Sequence, residues 1–309
     1  MLLSNLSDPI IPIFMALLAG YVMRKNNIFD VISAQAINRF VFYMALPALA
    51  FSLIARVPLG EIDWPTITSY LSSELIVYAG VAITAYRLFN LSAGESLLIG
   101  MSASFVNHLL FVLPIAQSLY GSMASKPIAA IVFIDTIIFC LTVLTLDLIK
   151  AKKSEPNQGY SSVGVIKLLG KNPLVIAMSL GVVAGITPQY IPSGVFTYTM
   201  FVGSAAAPAS LFALGIILAG QSIRPIGAPT WLAVSAKLII HPIVLTLIGG
   251  VTLLKPEWQK MAFLVAAGPC GAMPFVIALQ YGVKTEVIAK AVLISTTLSL
   301  LSLSFLTAR

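Results

Sequence analysis

Apolar residues run along this chain in blocks of about twenty, a length that spans the roughly 30 Å hydrocarbon core of a bilayer as a helix. Short clusters of charged residues, proline and glycine break the blocks. The windows between these breaks predict helices near 9–25, 34–55, 66–89, 94–120, 127–149, 172–189, 195–221, 228–253, 258–282 and 285–307. The runs are continuous rather than alternating, which excludes a transmembrane β-barrel. The expected fold is an all-α membrane protein of ten transmembrane helices. Composition agrees: with 59% hydrophobic and 9% charged residues in 309, the chain has too few charges to cover a soluble globule.

The charges that are present set an orientation. Alternate connections carry Arg24, Lys25, Arg87, Lys150, Lys152, Lys153, Lys167, Lys171, Arg224 and Lys284 on one side, against Arg56, Lys126, Lys255, Lys260 and Arg309 on the other. The positive-inside rule makes the first side cytoplasmic and predicts both termini outside, in a multi-pass protein of the bacterial inner membrane. The net charge of +7 is spread over these loops without aromatic interleaving, so topology explains it and nucleic acid does not. Before the first apolar block stand Ser4, Asn5, Ser7 and Asp8. They lack the basic character of a signal peptide, so this block is expected to be a retained helix. Cys140 and Cys270 lie in separate apolar segments with neither metal nor disulfide spacing.

The longest polar stretch, 151–170, divides the chain into halves at 1–150 and 171–309. Sliding the sequence on itself by 161 residues pairs Pro12 with Pro173, Ala16 with Ala177 and Gly20 with Gly181. The same offset pairs Pro47 and Phe51 with Pro208 and Phe212, and Tyr120-Gly121 with Tyr281-Gly282. A repeat of five helices, an odd number, enters the membrane a second time from the opposite side. Inverted repeats of this kind are expected to place a site near the midplane, where corresponding broken helices cross.

Predicted helices four and nine have the residues for that crossing. Helix four contains Asn107, His108 and Pro114, and helix nine contains Gly268, Pro269, Gly271 and Pro274. Proline removes a backbone hydrogen bond and clashes with the preceding turn, so both helices are expected to unwind mid-membrane. The N-termini of the half-helices that follow present free N–H groups and partial positive charge, which suit a carboxylate. Asn107 can donate to the same ligand, and His108 beside it is a packing group or a proton carrier.

Ionisable residues inside apolar helices are the remaining signal, because each needs a partner or a polar path. They are Glu74 in helix three, Asp135 in helix five, and Lys237 with His241 in helix eight. Lys237 and His241 are four residues apart and share a helix face ahead of Pro242. Glu74 shifted by the offset falls two residues before Lys237, which predicts a Glu74–Lys237 pair between the halves, either as a fixed salt bridge or as a proton-linked switch. No nucleotide loop, hydrolytic triad or metal cluster is present in the sequence, so no enzyme activity and no cofactor is expected.

At these residues the chain resembles the auxin efflux carrier family, which includes plant PIN proteins and bacterial permeases. The resemblance rests on Phe42-Tyr-Met-Ala-Leu-Pro-Ala-Leu-Ala-Phe51, on Lys237-Leu-Ile-Ile-His-Pro242 and on Pro269-x-Gly-x-x-Pro-Phe-Val276 followed by Tyr281. It implies a fold like that of bile acid sodium symporters and NhaA-type exchangers. Helices 1, 2, 6 and 7 would form a scaffold, helices 3, 4, 5, 8, 9 and 10 a crossover domain, and the scaffold a homodimer interface. It further implies a small organic anion, first a dicarboxylate such as malonate or malate, bound by Asn107, His108, Pro114, Lys237, His241, Gly268, Pro269, Gly271 and Pro274 and moved by an elevator mechanism, with Glu74 and Asp135 in coupling or support. The chain departs from the family's first crossover motif at Val106, His108 and Val112 and keeps Asn107 and Pro114. The competing expectations are a Na⁺ symporter or cation exchanger of the same fold, and a membrane sensor that moves no solute.

Overall fold

The computed structural model describes residues 2–56, 62–106, 108, 112–154, 170–220, 225–251 and 255–307. Asn107 and most of the 151–170 linker lie outside them. Within the described residues the predicted apolar segments are helical except where segments four and nine are interrupted. The helices are α1 (Leu2–Lys25), α2 (Val31–Phe40), α3 (Leu46–Ile54), α4 (Trp64–Leu88), α5 (Ala93–Ser104), α6 (Leu113–Tyr120), α7 (Ser125–Ser154) and α8 (Pro173–Ile186), followed by α9 (Ser193–Gly203), α10 (Ala206–Ala219), α11 (Ala228–Ser235), α12 (His241–Gly249), α13 (Pro256–Ala266), α14 (Met273–Tyr281) and α15 (Glu286–Thr307).

Five continuous stretches among the described residues are long and apolar enough to cross a membrane: Val31–Ile54, Trp64–Leu88, Lys126–Lys150, Ser193–Ala219 and Ala228–Gly249. Two of them contain a π-helical turn, at Val41–Ala45 between α2 and α3 and at Ala236–Ile240 between α11 and α12. Each turn leads into a helix with proline in its first turn, Pro47 or Pro242. Proline has no N–H for the preceding carbonyl, and a widened turn relieves the clash that a regular helix would suffer there. Predicted segments four and nine are not continuous. Each is a pair of short helices, α5 with α6 and α13 with α14, for a reason described below.

Polar caps start several helices. Asp30 accepts from the Ser33 N–H at 2.7 Å before α2, and Ser92 and Glu95 form a capping box at the start of α5. Asp30 is fully exposed, and its hydrogen bonds from Ser33 hold its carboxyl below the usual range. Large apolar side chains such as Leu18, Leu180, Val183, Phe201 and Leu247 point outward, as lipid-facing residues do.

Helix α1 packs on α10, and α8 packs on α3. Both contacts turn on a glycine. A Cβ built at Gly20 would collide with the backbone carbonyl of Phe212, and one at Gly181 would lie 3.1 Å from the backbone oxygen of Phe51. Phe212 is Phe51 moved by 161 residues, and Gly181 is Gly20 moved by the same number, so the two contacts are reciprocal under the sequence offset. Gly80, by contrast, faces open space.

Gly20→Ala is expected to cost about 1–3 kcal/mol through overpacking, whereas Gly80→Ala is expected to be neutral or to stabilise by up to about 1 kcal/mol through helix propensity. Unfolding curves of the two purified variants in detergent measure the difference, and equal stabilities would remove the close helix contact from the account.

Candidate functional site

The two interrupted helices meet end against end. Helix α5 stops at Ser104, and the chain continues extended through Phe105 and Val106, with Phe105 at φ −72° and ψ 141°. Helix α13 stops at Ala266, and the chain passes through Gly268, Pro269, Cys270 and Gly271 before α14. The extended pieces form an antiparallel bridge between Val106 and Cys270, and the Gly271 N–H donates to the Phe105 carbonyl at 3.0 Å. Glycine is required for this approach. A Cβ at Gly268 would stand 2.5 Å from Val106 Cγ2, and one at Gly271 would stand 2.9 Å from Phe105 Cδ1. The Cys270 N–H is taken up by Ser295 Oγ of α15 at 3.0 Å, so the unwound backbone finds partners inside the protein. Pro114 and Pro274 lie in the first turns of α6 and α14, where a helix needs no N–H from them. They begin half-helices rather than kink whole ones.

Two helix C-termini converging in an apolar interior bring their partial negative ends together. Lys237 answers this charge. Its side chain is wholly buried, and Nζ donates to the Ser104 carbonyl at the end of α5 at 2.8 Å and to Nδ1 of His241 at 3.0 Å. It also lies 3.5 Å from the Val265 carbonyl near the end of α13. The π-helical turn at Ala236–Ile240 carries Lys237, and His241 opens α12 four residues later. Because the ammonium donates to Nδ1, the neutral His241 ring holds its proton on Nε2. The expected Glu74–Lys237 pair is not formed. The ammonium's donors are spent on the helix ends and His241, and both Glu74 oxygens are without a hydrogen-bond partner among the described residues.

A small cavity of about 80 Å³, within a wider open-mouthed cleft of about 690 Å³, adjoins the crossing. Its walls come from α3 (Leu46, Ala50), α8 (Leu174), α10 (Ala207), α7, the extended segment Phe105–Val106, and Ala272 with Met273 at the start of α14. The lining is apolar except at His108, Asp135 and Thr136. His108 Nε2 lies 2.7 Å from Asp135 Oδ2, in ion-pair reach but without a hydrogen-bonding angle. Behind Asp135, away from the cavity, lie Glu74 and Tyr70 of α4, both fully buried. Glu74 and Tyr70 both adjoin Asp135 within hydrogen-bonding range.

Of the residues singled out in the sequence, His108 and Asp135 reach the cavity wall, Gly268, Pro269, Gly271 and Pro274 build the crossing beside it, and Lys237 with His241 and Glu74 stand behind it. Asn107 lies outside the described residues. Near the predicted cytoplasmic end, Asp147 accepts from the Tyr281 hydroxyl at 2.7 Å and from Asn172 at 3.5 Å, and Gln280 donates to the Tyr43 hydroxyl at 2.9 Å. Asn38 of α2 donates to the Val276 carbonyl of α14 at 3.0 Å. Among the described residues, no cluster of three His, Cys, Asp or Glu side chains is placed to hold a metal ion.

A family model described as "Membrane transport protein" matches residues 5–307, nearly the whole chain. The chain belongs to this family, the auxin efflux carrier family. A "Putative malonate transporter" of Rhizobium meliloti is 27% identical over 96% of this chain and 93% of its own length. Auxin efflux carrier component 8 of Arabidopsis thaliana is 23% identical over 92% of this chain and 91% of its own. The solved structure of a sodium proton antiporter from Methanocaldococcus jannaschii superposes with a TM-score of 0.65 at 14% identity, covering 96% of this chain and 92% of that one, which shows a shared fold. This auxin efflux carrier family member is therefore a membrane transporter and not an enzyme.

Sequence reasoning missed Tyr70 and Ser295. Tyr70 sits four residues before Glu74 on one helix face, a signal that was present. Ser295 has only the run Ser295, Thr296, Thr297 and Ser299 to mark it.

Lys237→Met keeps the length of the side chain and removes its charge, leaving the buried Ser104 carbonyl without this donor, while the Val265 carbonyl keeps the Gly268 N–H at 3.1 Å. An orphaned acceptor costs roughly 1–3 kcal/mol, so this variant is expected to melt at a lower temperature in detergent as well as to lose transport. A wild-type melting curve would show that the ammonium does not hold the crossing together.

Proposed function

We propose that this protein is a secondary carrier that moves a small organic anion, a carboxylate, across the bacterial inner membrane by elevator-type alternating access. The observation that carries the reading is the position of the cavity, which lies where the crossing of two interrupted helices faces α3, α8 and α10. The full-length similarity to the Rhizobium relative named for malonate supports a carboxylate as cargo. The chain would cross the membrane ten times with both termini outside, as two inverted halves, and the reciprocal contacts of Gly20 and Gly181 support that arrangement. The scaffold helices would pair two copies into a homodimer.

In this reading the anion sits against the start of α14, where the helix dipole favours negative charge, with His108 beside it. Asn107 and Pro114 are assigned to substrate binding from the first half by their sequence positions. Gly268, Pro269, Gly271 and Pro274 give the crossing its shape, while Lys237 and His241 act on the substrate through the backbone ends they hold. Among the described residues, the polar contacts between the crossing and the scaffold are Asn38 to Val276, Gln280 to Tyr43, and Asn172 to Asp147. Few such bonds favour a sliding interface over a fixed one.

A second reading, Na⁺-coupled symport or cation exchange, draws on the antiporter fold and on the free Glu74 oxygens. Uptake of labelled malonate, malate and indole-3-acetate into proteoliposomes, with and without an imposed Na⁺ gradient, tests both. We expect saturable uptake of one carboxylate that is indifferent to Na⁺. Asn107→Ala should lower it at least about tenfold, the loss of one hydrogen bond to a charged group. Flux that requires Na⁺ would favour the second reading, and no flux of any carboxylate would point to a protein that moves no solute.

A further inference from the structure

The buried polar cluster behind the cavity does not balance in charge. Its acidic groups are Glu74, 0% exposed, and Asp135, 1% exposed, on α4 and α7. Near them stand Tyr70 and Tyr78 from α4, His108 from the first crossing segment and Lys237 from the bent helix α11–α12, with His241 and Cys270 adjoining Lys237. Lys237 is the one permanent cation in this set, and it is turned toward the ends of α5 and α13 rather than toward a carboxylate. Two ionised carboxylates side by side in a low-dielectric interior, with no hydrogen bond to either Glu74 oxygen, would carry an uncompensated buried charge that costs several kcal/mol. Two adjacent carboxyls escape that cost by keeping a proton between them, as like-charged acid pairs do. The pair is not sealed off. Asp135 lines the cavity, and His108, on the same wall, reaches its Oδ2 at 2.7 Å.

We propose that this carrier is a proton–anion symporter in which the Glu74–Asp135 carboxyl pair, reached from the cavity through His108, holds the transported proton. The inference rests on the carrier reading given above. An anion entering the cavity meets Asp135. Ionised, Asp135 repels it; protonated, or with the proton passed to His108, it admits it. Anion and proton therefore occupy the site together and leave together. The proton binds Asp135 from one compartment and is released from it to the other, so no redox partner or other co-reactant is needed. His108 positions and relays the proton.

Two measurements test the proposal. Infrared difference spectra of the purified protein at neutral pH should show a protonated carboxylic acid band that is lost in Glu74→Gln or Asp135→Asn, and a wild-type protein without the band overturns the proton site. In proteoliposomes held at zero membrane potential, a one-unit pH gradient, alkaline inside, should accumulate malonate or malate about tenfold over the outside for one proton per anion, with matching acidification of a trapped pH dye. Glu74→Gln should only equilibrate whatever it carries. Wild-type flux that equilibrates despite the gradient overturns the coupling and leaves the carrier reading standing. An absence of flux for every carboxylate overturns both.

Discussion

A buried ammonium between two helix C-termini is what allows the interrupted helices α5 and α13 to end against each other in an apolar interior. Their last carbonyls lack the donors of a continuing helix, and without water they need others. The Val265 carbonyl takes the Gly268 N–H, and Lys237 donates to the Ser104 carbonyl, reaches Val265 as well and offsets the converging negative ends of the helices. Its own placement depends on the π-helical turn before Pro242, and its third contact, His241, follows from the same bend. The extended bridge of Val106 and Cys270, the close approach at Gly268 and Gly271, and the cavity beside them are all built around that contact.

The sequence made some of this legible and hid the rest for identifiable reasons. Apolar block lengths located the helical segments, since one residue type repeated over twenty positions needs no tertiary information. Pro114, Pro269 and Pro274 with their glycines marked where helices four and nine break. The offset of 161 residues linked Gly20 to Gly181 before either was seen to press on a phenylalanine backbone. What local pattern could not supply was pairing. His108 and Asp135 are far apart in sequence and meet because α7 returns alongside the crossing. The Glu74–Lys237 expectation had the right neighbourhood and the wrong partner, because charge sign was counted among side chains while the stronger demand came from backbone carbonyls. Both π-helical turns escaped as well, since a proline in a helix is compatible with a kink, a break or a widened turn.

The two faces of the crossing divide the work. On one face Lys237, His241 and Ser295 satisfy backbone and hold the geometry fixed. On the other an apolar cavity opens toward α3, α8 and α10 with His108 and Asp135 in its wall. A rigid polar framework behind a smooth apolar interface suits a body that moves as a unit, because the interface then carries little directional bonding. In the proposed mechanism the fixed face preserves the site during movement, and the cavity face determines what enters it. His108 stands at the boundary between them, where the proposed mechanism has substrate and buried carboxyls affect each other.

The most direct measurement is an electron cryo-microscopy structure of the protein in lipid with malonate at saturating concentration. The account predicts ligand density in the cavity between α3 and the crossing, in contact with His108 and the first turn of α14, with Lys237 still bound to the ends of α5 and α13. Density elsewhere in the protein, or Lys237 drawn away from those carbonyls onto the ligand, would contradict it.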